Sequence, residues 1–411
     1  MSVINQKFIL DQEIESKESD IVEEARKKIF SEAENIPLLL SNETEEEIEN
    51  IQNIAQTIKK NFTNLLILGT GASESIPKIF FALGDTELNV EFLSNVDQYC
   101  VDRVLKKMQP QNTCVIAISK SGNTVEIITL LMYMQEWFRK EITDSNLSSH
   151  FYFITEFKES PIYLIAKKLG ATLIEHDNIG GRYSTFTSVG LLPAAIAGFD
   201  INKVINHAKH YFRDLIKPDS WVMSGVSYNN SMSKKFTNNV FMSYGDRFEG
   251  INLWVRQLIA ESLGKDSKGI TPITSRGIVD HHSQLQLYLD GPNDKFFTII
   301  SSKKNKSSTS FSINRDLGKE YGVDYLSGAT LNDVMDAQMD LSIVELKEHN
   351  KNIRILETER MDEEFVAEFV MGTMLEVILF AYINDINPFG QPAVENIKKN
   401  FTSYIKVKNA I

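Results

Sequence analysis

The sequence predicts an α/β protein of two domains, each built on a mainly parallel central sheet sandwiched by helices, with helical segments at the two ends. Three observations predict it. Short unbroken apolar runs, bounded by turn residues, alternate with helix-patterned stretches, as in strands buried on both faces. The pattern partly restarts after Asp200. The 411 residues also exceed a single domain of ~100–200 residues and suffice for cores that need no staples.

Along the chain, residues 11–60 are rich in Glu and Lys with apolar residues at helical spacing. Ser41, Asn42 and Thr44 interrupt them and are able to cap the next helix. Residues 65–68, 89–93, 114–118, 150–154 and 171–174 read as strands. Helical patterns cover 125–138 and 161–169 between them. In the second half, 239–243, 296–301 and 353–356 read as strands, with helices over 250–262, 365–380 and 392–407. The expected division is a helical segment over 1–45, one domain over 46–205, a second over 206–375 and a helical segment over 376–411. No Pro- or Ser-rich linker separates the halves, so tight packing is expected. No internal repeat is strong enough to prove duplication.

Composition narrows the function. Forty-three Lys and Arg against 55 Asp and Glu give a net charge of −12. A surface that acidic repels phosphate backbones, which argues against sequence-independent nucleic-acid binding. Small anions respond to a local pocket and are not excluded. Cys100 and Cys114 are the two cysteines, and no CxxC or Cys/His cluster suggests zinc. Two cysteines read as reduced core residues, which favours the cytosol. The first 20 residues show no basic region followed by an apolar stretch, so no signal peptide is expected. The apolar stretch 365–383 contains Glu368 and Glu376 and reads as a buried helix, not a membrane span.

Chemistry concentrates in a few loops. The run 65–68 ends in Gly69-Thr70-Gly71-Ala72-Ser73, and the run 114–118 ends in Ser119-Lys120-Ser121-Gly122-Asn123-Thr124. In parallel sheets ligands sit beyond the carboxyl ends of strands, where both loops lie. Hydroxyls, a Lys and backbone N–H groups at a helix start suit a phosphate. The same hydroxyls also serve as ordinary helix caps. Neither loop is GxxxxGK[ST] or GxGxxG, so a nucleotide has no direct support. Gly180 and Gly181 permit close approach of backbone to a ligand, and Arg182 adds a permanent charge; alternatively, Arg182 is a surface residue. Glu261, at the end of an amphipathic helix stopped by Gly264, reads as a general base or as a solvated helix-end carboxylate. Asp280-His281-His282 invites acid/base work by one imidazole more than metal binding, because adjacent side chains diverge; a structural or exposed pair is the other reading. Pro392 opens a helical pattern carrying Lys398, which by itself reads as a surface lysine.

In this order, GTGASES (69–75), SKSGNTVE (119–126), GGRYSTFTSVGLLP (180–193), ESLGK (261–265), DHHSQLQLYLDGP (280–292) and NPFGQPAVENIK (387–398) resemble the phosphoglucose isomerase (glucose-6-phosphate isomerase) family. The matches span about residues 65 to 400. Six ordered matches are specific where each alone is not. The resemblance implies two sugar-isomerase (SIS) domains and reversible interconversion of glucose 6-phosphate and fructose 6-phosphate. It implies no metal or organic cofactor, and a homodimer in which a histidine crosses from the partner; the charge and the apolar pattern above add the expectation of no nucleic-acid or membrane partner. Matched by motif, Ser73, Ser119, Lys120, Ser121 and Thr124 hold the phosphate, and Gly181 lies against the substrate. Arg182 stabilises the enediolate and Glu261 moves the proton between C1 and C2. His282 assists ring opening, Lys398 lies near the ring oxygen and Gln391 positions the sugar.

Several positions depart from the family pattern. Ala72 and Ala393 replace a usual Gly, Glu74-Ser75 a usual Asp-Leu, Asn123 a usual Thr and Gly390 a usual Asp. None removes a residue with an expected chemical role, although each bears on affinity or on the accepted sugar. An isomerase of altered specificity and a non-catalytic sugar-phosphate sensor are the rival readings. A sensor needs the phosphate loops but not Glu261, His282 and Lys398, all of which are present.

Overall fold

A computed structural model of the protein describes residues 2–10, 18–31, 44–303, 311–394, 400–401, 404–405 and 408. Its strands are β1 (Ile4–Ile9), β2 (Asn64–Leu68), β3 (Asn89–Leu93), β4 (Thr113–Ile118), β5 (Phe151–Thr155), β6 (Thr172–Glu175), β7 (Asn238–Tyr244), β8 (Thr271–Arg276), β9 (Lys295–Ser302) and β10 (Ile353–Thr358). They form two five-stranded sheets, ordered β3-β2-β4-β5-β6 and β1-β10-β9-β7-β8. All neighbours run parallel except β1, which pairs antiparallel with β10 from Ile4 opposite Thr358 to Ile9 opposite Ile353.

Side-chain alternation explains the layers. In β2, Leu65 and Ile67 point into a core shared by both sheets, whereas Leu66 and Leu68 point to the outer helices of the first sheet. In the second sheet Phe241 and Phe296 face the shared core, and Val240, Met242 and Phe297 face outward. Both faces are buried, so the runs are apolar throughout. The helices Ala72–Leu83, Ser188–Ile196, Glu249–Leu263 and Glu363–Ile383 fill the layer between the sheets. From Phe365 to Ala381 every residue of the last of these is buried, as expected for a core helix.

One contact brings the halves to backbone distance. A Cβ on Gly250 would stand 2.5 Å from the amide nitrogen of Ile79. No side chain fits there, so the Glu249–Leu263 helix crosses the Ala72–Leu83 helix directly. At the other end of the crossing, a Cβ on Gly71 would lie 2.9 Å from Gln257 Nε2. The C-terminal end of the Glu249–Leu263 helix therefore sits over the C-terminal edge of the first sheet.

Two strands differ from expectation. The N-terminal segment, expected to be helical, begins with β1, the edge strand of the second sheet. Its pattern is faint because Gln6, a polar residue, faces inward and accepts from Arg354 Nε at 2.5 Å. β8 was hidden for a different reason: it is an edge strand with polar residues and Pro272, which such a position tolerates. The expected boundaries at 205/206 and 375/376 fall inside the helices Ile201–Leu215 and Glu363–Ile383. Thr44 caps the Glu45–Asn61 helix in a reciprocal capping box with Glu47. The closing helix expected over 392–407 lies mostly outside the described residues; Pro392–Val394 form one 3₁₀ turn.

β1 is held by buried carboxylates of the core helix. Glu368 accepts from Ser2 Oγ, from the Val3 amide at 2.7 Å and from Trp221 Nε1 at 2.8 Å. Glu376 pairs with Arg354, whose Nη1 donates at 3.0 Å and Nη2 more closely. Burial pushes both carboxyls above the usual range. Arg354→Met leaves Glu376 in the core without its cation, and is expected to cost about 3–5 kcal/mol at neutral pH, read from urea unfolding. A loss no larger than that of a surface ion pair would contradict this.

Candidate active site

At the C-terminal edge of the first sheet, β2 and β4 are adjacent and each ends in one of the small-residue loops. Gly71, at a φ of 61°, and Thr124 precede the helices Ala72–Leu83 and Val125–Phe138. Neither residue makes a side-chain cap. The capping explanation for these hydroxyls therefore fails for Thr124, whose Oγ1 instead pairs with Ser119 Oγ at 2.8 Å. Gly122, at a φ of 62°, packs where a Cβ would lie 2.0 Å from Ser160 Oγ. Ser121 is exposed, Ser73 and Lys120 are half-buried and Ser119 is buried. Lys120 Nζ donates to Asn178 Oδ1 at 3.1 Å and lies 3.8 Å from Glu156. Burial holds its ammonium below the ordinary lysine range, against the opposing pull of Glu156.

The Gly180-Gly181-Arg182 segment follows β6 on the same edge. A Cβ on Gly181 would stand 3.6 Å from the Ala72 methyl, itself buried, so the two loops touch. Arg182 is 2% exposed, and all five of its N–H groups are engaged. Nε donates to Ser262 Oγ at 2.7 Å; Nη1 donates to Glu261 Oε2 at 3.1 Å and Gln391 Oε1 at 2.9 Å. Nη2 donates to the carbonyls of Pro388 at 2.6 Å and Gly390 at 3.1 Å. One buried cation thus gathers the end of the Glu249–Leu263 helix and the 388–391 loop. Gln257, one turn before Glu261, donates from Nε2 to Glu261 Oε1 at 3.0 Å. Each carboxylate oxygen holds one donor and keeps a lone pair, and the side chain is 34% exposed. This is a fixed, solvent-reachable carboxylate on the same side as the two anion-suited loops.

A protein-family model described as phosphoglucose isomerase matches residues 24–283. A probable glucose-6-phosphate isomerase of Methanococcus maripaludis is 32% identical over 83% of this chain and 78% of its own. The chain belongs to the phosphoglucose isomerase family. Structural similarity extends further. A hypothetical protein of Thermus thermophilus superposes with a TM-score of 0.86 at 25% identity, covering 95% of this chain and 96% of that one. A glucose-6-phosphate isomerase of Chlamydia trachomatis shares the fold, with a TM-score of 0.74 at 18% identity over 89% of this chain and 74% of that one.

Within this phosphoglucose isomerase fold, Ser73, Ser119, Lys120, Ser121, Thr124, Gly181, Arg182, Glu261 and Gln391 gather on one side of the molecule. His282 does not join them. The Glu249–Leu263 helix runs back between β7 and β8, which leaves Glu261 at the N-terminal edge of the second sheet, whereas His282 follows the C-terminal end of β8. The six residues of β8 separate the two edges by about 20 Å. His281 is held by Tyr244 at 2.8 Å and Ser342 at 3.2 Å, while His282 is exposed. Lys398 lies outside the described residues. Sequence reasoning missed Gln257; its spacing of four before Glu261 on an amphipathic helix was the available signal. Gly390 has a φ of 65°, a backbone that suits glycine.

Lys120 supplies a pH test. A bound dianion favours the ammonium, so affinity for inorganic phosphate should fall as pH rises through the depressed lysine pKa. Phosphate is already dianionic above about pH 7. Calorimetric titration upward from about pH 8, below the free lysine value of about 10.4, should show weakening in the wild type and a flat profile in Lys120→Met. The same slope in both proteins would count against a phosphate role for Lys120.

Proposed function

We propose that the protein is a glucose-6-phosphate isomerase that interconverts glucose 6-phosphate and fructose 6-phosphate through an enediolate, using side chains alone. The observation that carries this is Glu261: a half-exposed carboxylate fixed by Arg182 and Gln257 beside the two hydroxyl-rich loops. In this reading Ser73, Ser119, Lys120, Ser121 and Thr124 take the phosphate, and Gly181 lets backbone approach the sugar. Binding there fixes the reacting carbons and supplies orientation that free substrate lacks.

With the ring open, Glu261 takes the proton from C2 of the aldose. The electron pair of that C–H bond becomes the C1–C2 double bond, and the C1 carbonyl oxygen takes the negative charge. Transfer of the hydroxyl proton from O2 to O1 lets O2 become the carbonyl oxygen, and return of the carbon-bound proton from Glu261 to C1 gives the ketose. Arg182 stabilises the charge through the field of a buried cation. It reaches an oxyanion directly only by giving up an acceptor, and Gln391 Oε1 is a neutral side-chain acceptor that a rotation frees. Ring opening needs a proton donor, and His282, the candidate imidazole, does not lie near Glu261 within one chain. We assign it to His282 of the partner subunit in a homodimer, with Lys398 at the ring oxygen. The setting that goes with this chemistry is the cytosol.

Conversion of fructose 6-phosphate in EDTA, followed by a coupled assay, tests the activity. Glu261→Gln should lower kcat by about 10²–10⁴-fold while substrate binding persists; unchanged turnover would remove Glu261 as the base. Glu261→Gln and His282→Ala should each be nearly inactive alone. Dissociated and reassociated together, they should regain activity, because a mixed dimer has one site with both native groups. No recovery, with mixed dimers demonstrated, would place the two residues in the same subunit's site.

A further inference from the structure

The loop that carries Gln391 is gripped in an unusual way. Four consecutive carbonyls, from Asn387 to Gly390, accept alternately from two cations. Lys265 Nζ donates to the carbonyls of Asn387 at 2.5 Å and Phe389 at 2.7 Å. Arg182 Nη2 takes those of Pro388 and Gly390 between and beyond them. Lys265 follows Glu261 by four residues, just past the helix end at Gly264. The two cations therefore hold the loop together at the same helix terminus. Around them Tyr183 OH donates to Pro388 O at 3.2 Å, its ring lies 5.6 Å from that of Phe389, and Lys268 reaches Asn384 O at 2.9 Å.

We propose that Lys265 is a positioning residue for isomerisation: by holding Asn387 and Phe389 it fixes the loop that presents Gln391 and completes the acceptor set of Arg182. Lys265 acts through Arg182 and Gln391 and does not touch the sugar. Its ammonium suits the task because charge-assisted bonds to carbonyls are stronger than neutral ones. Loss of the cation frees both carbonyls and lets the loop move. Arg182 then holds Glu261 less firmly. The phosphate loops belong to other elements and are unaffected.

The inference rests on the isomerase reading, and two readouts keep their fates apart. Hydrogen exchange of the 384–394 segment in the substrate-free protein is independent of activity. Lys265→Met should exchange faster there than the wild type, and Lys265→Arg should restore protection. With fructose 6-phosphate, Lys265→Met should lose on the order of 10²-fold in kcat, the scale of a misplaced reacting group, with KM changed far less. Lys265→Arg should recover most of that loss. If Lys265→Met does not fold, Lys265→Gln, which keeps two donors without charge, replaces it in both measurements and should fall between Lys265→Met and the wild type. Unchanged exchange with unchanged kcat overturns the proposal. So does an equal kcat loss in the Arg and Met variants with loop protection intact. Should the wild type itself show no isomerase activity, the exchange comparison alone decides the clamp.

Discussion

A buried guanidinium needs every one of its N–H groups satisfied, and that requirement on Arg182 organises the site. The acceptors come from two separated stretches: Glu261 and Ser262 at a helix end, and Pro388, Gly390 and Gln391 on one loop. Satisfying one cation therefore fixes the Glu261 carboxylate, the loop and the Gln391 amide relative to one another. The positive charge is itself offset by Glu261. Glu261 remains half-exposed where it meets solvent, which leaves it free to take a proton. Stability and chemistry depend on the same contact.

The rest of the fold delivers those groups to one place. Parallel strands put the loops after β2, β4 and β6 on a single edge of the first sheet. Gly250 allows the second domain's helix to cross at backbone distance, and Gly71 lets Gln257 sit against the first loop. Topology also sets a limit. The same helix that carries Glu261 to the first sheet leaves the end of β8, and His282 with it, on the far edge of the second. That separation is why the imidazole is assigned to a partner subunit in the proposed mechanism.

Much of this was legible in the sequence. Strands buried on both faces give continuous apolar runs, so β2, β4, β5, β7 and β9 stand out, and the helices 125–138 and 161–169 show a helical pattern between them. The loops were visible because glycines and hydroxyls interrupt apolar runs. What stayed hidden was set by tertiary partners. β1 turns Gln6 inward to serve Arg354, and the apolar pattern fades there. Gln257 looks like any helix-surface amide until Glu261 and Gly71 are brought beside it. The full engagement of Arg182 is likewise invisible in sequence, because its acceptors lie 79 to 209 residues away and two of the five are backbone carbonyls, which carry no residue signature.

The most direct test of this central role is Arg182→Lys. Lysine keeps the charge but has three donors on a flexible stem and no planar fork, so it cannot serve five acceptors. The expected result is a fall in kcat/KM for fructose 6-phosphate on the order of 10²–10³-fold, with inorganic phosphate bound as well as by the wild type. A lysine variant that turns over at the wild-type rate would contradict it.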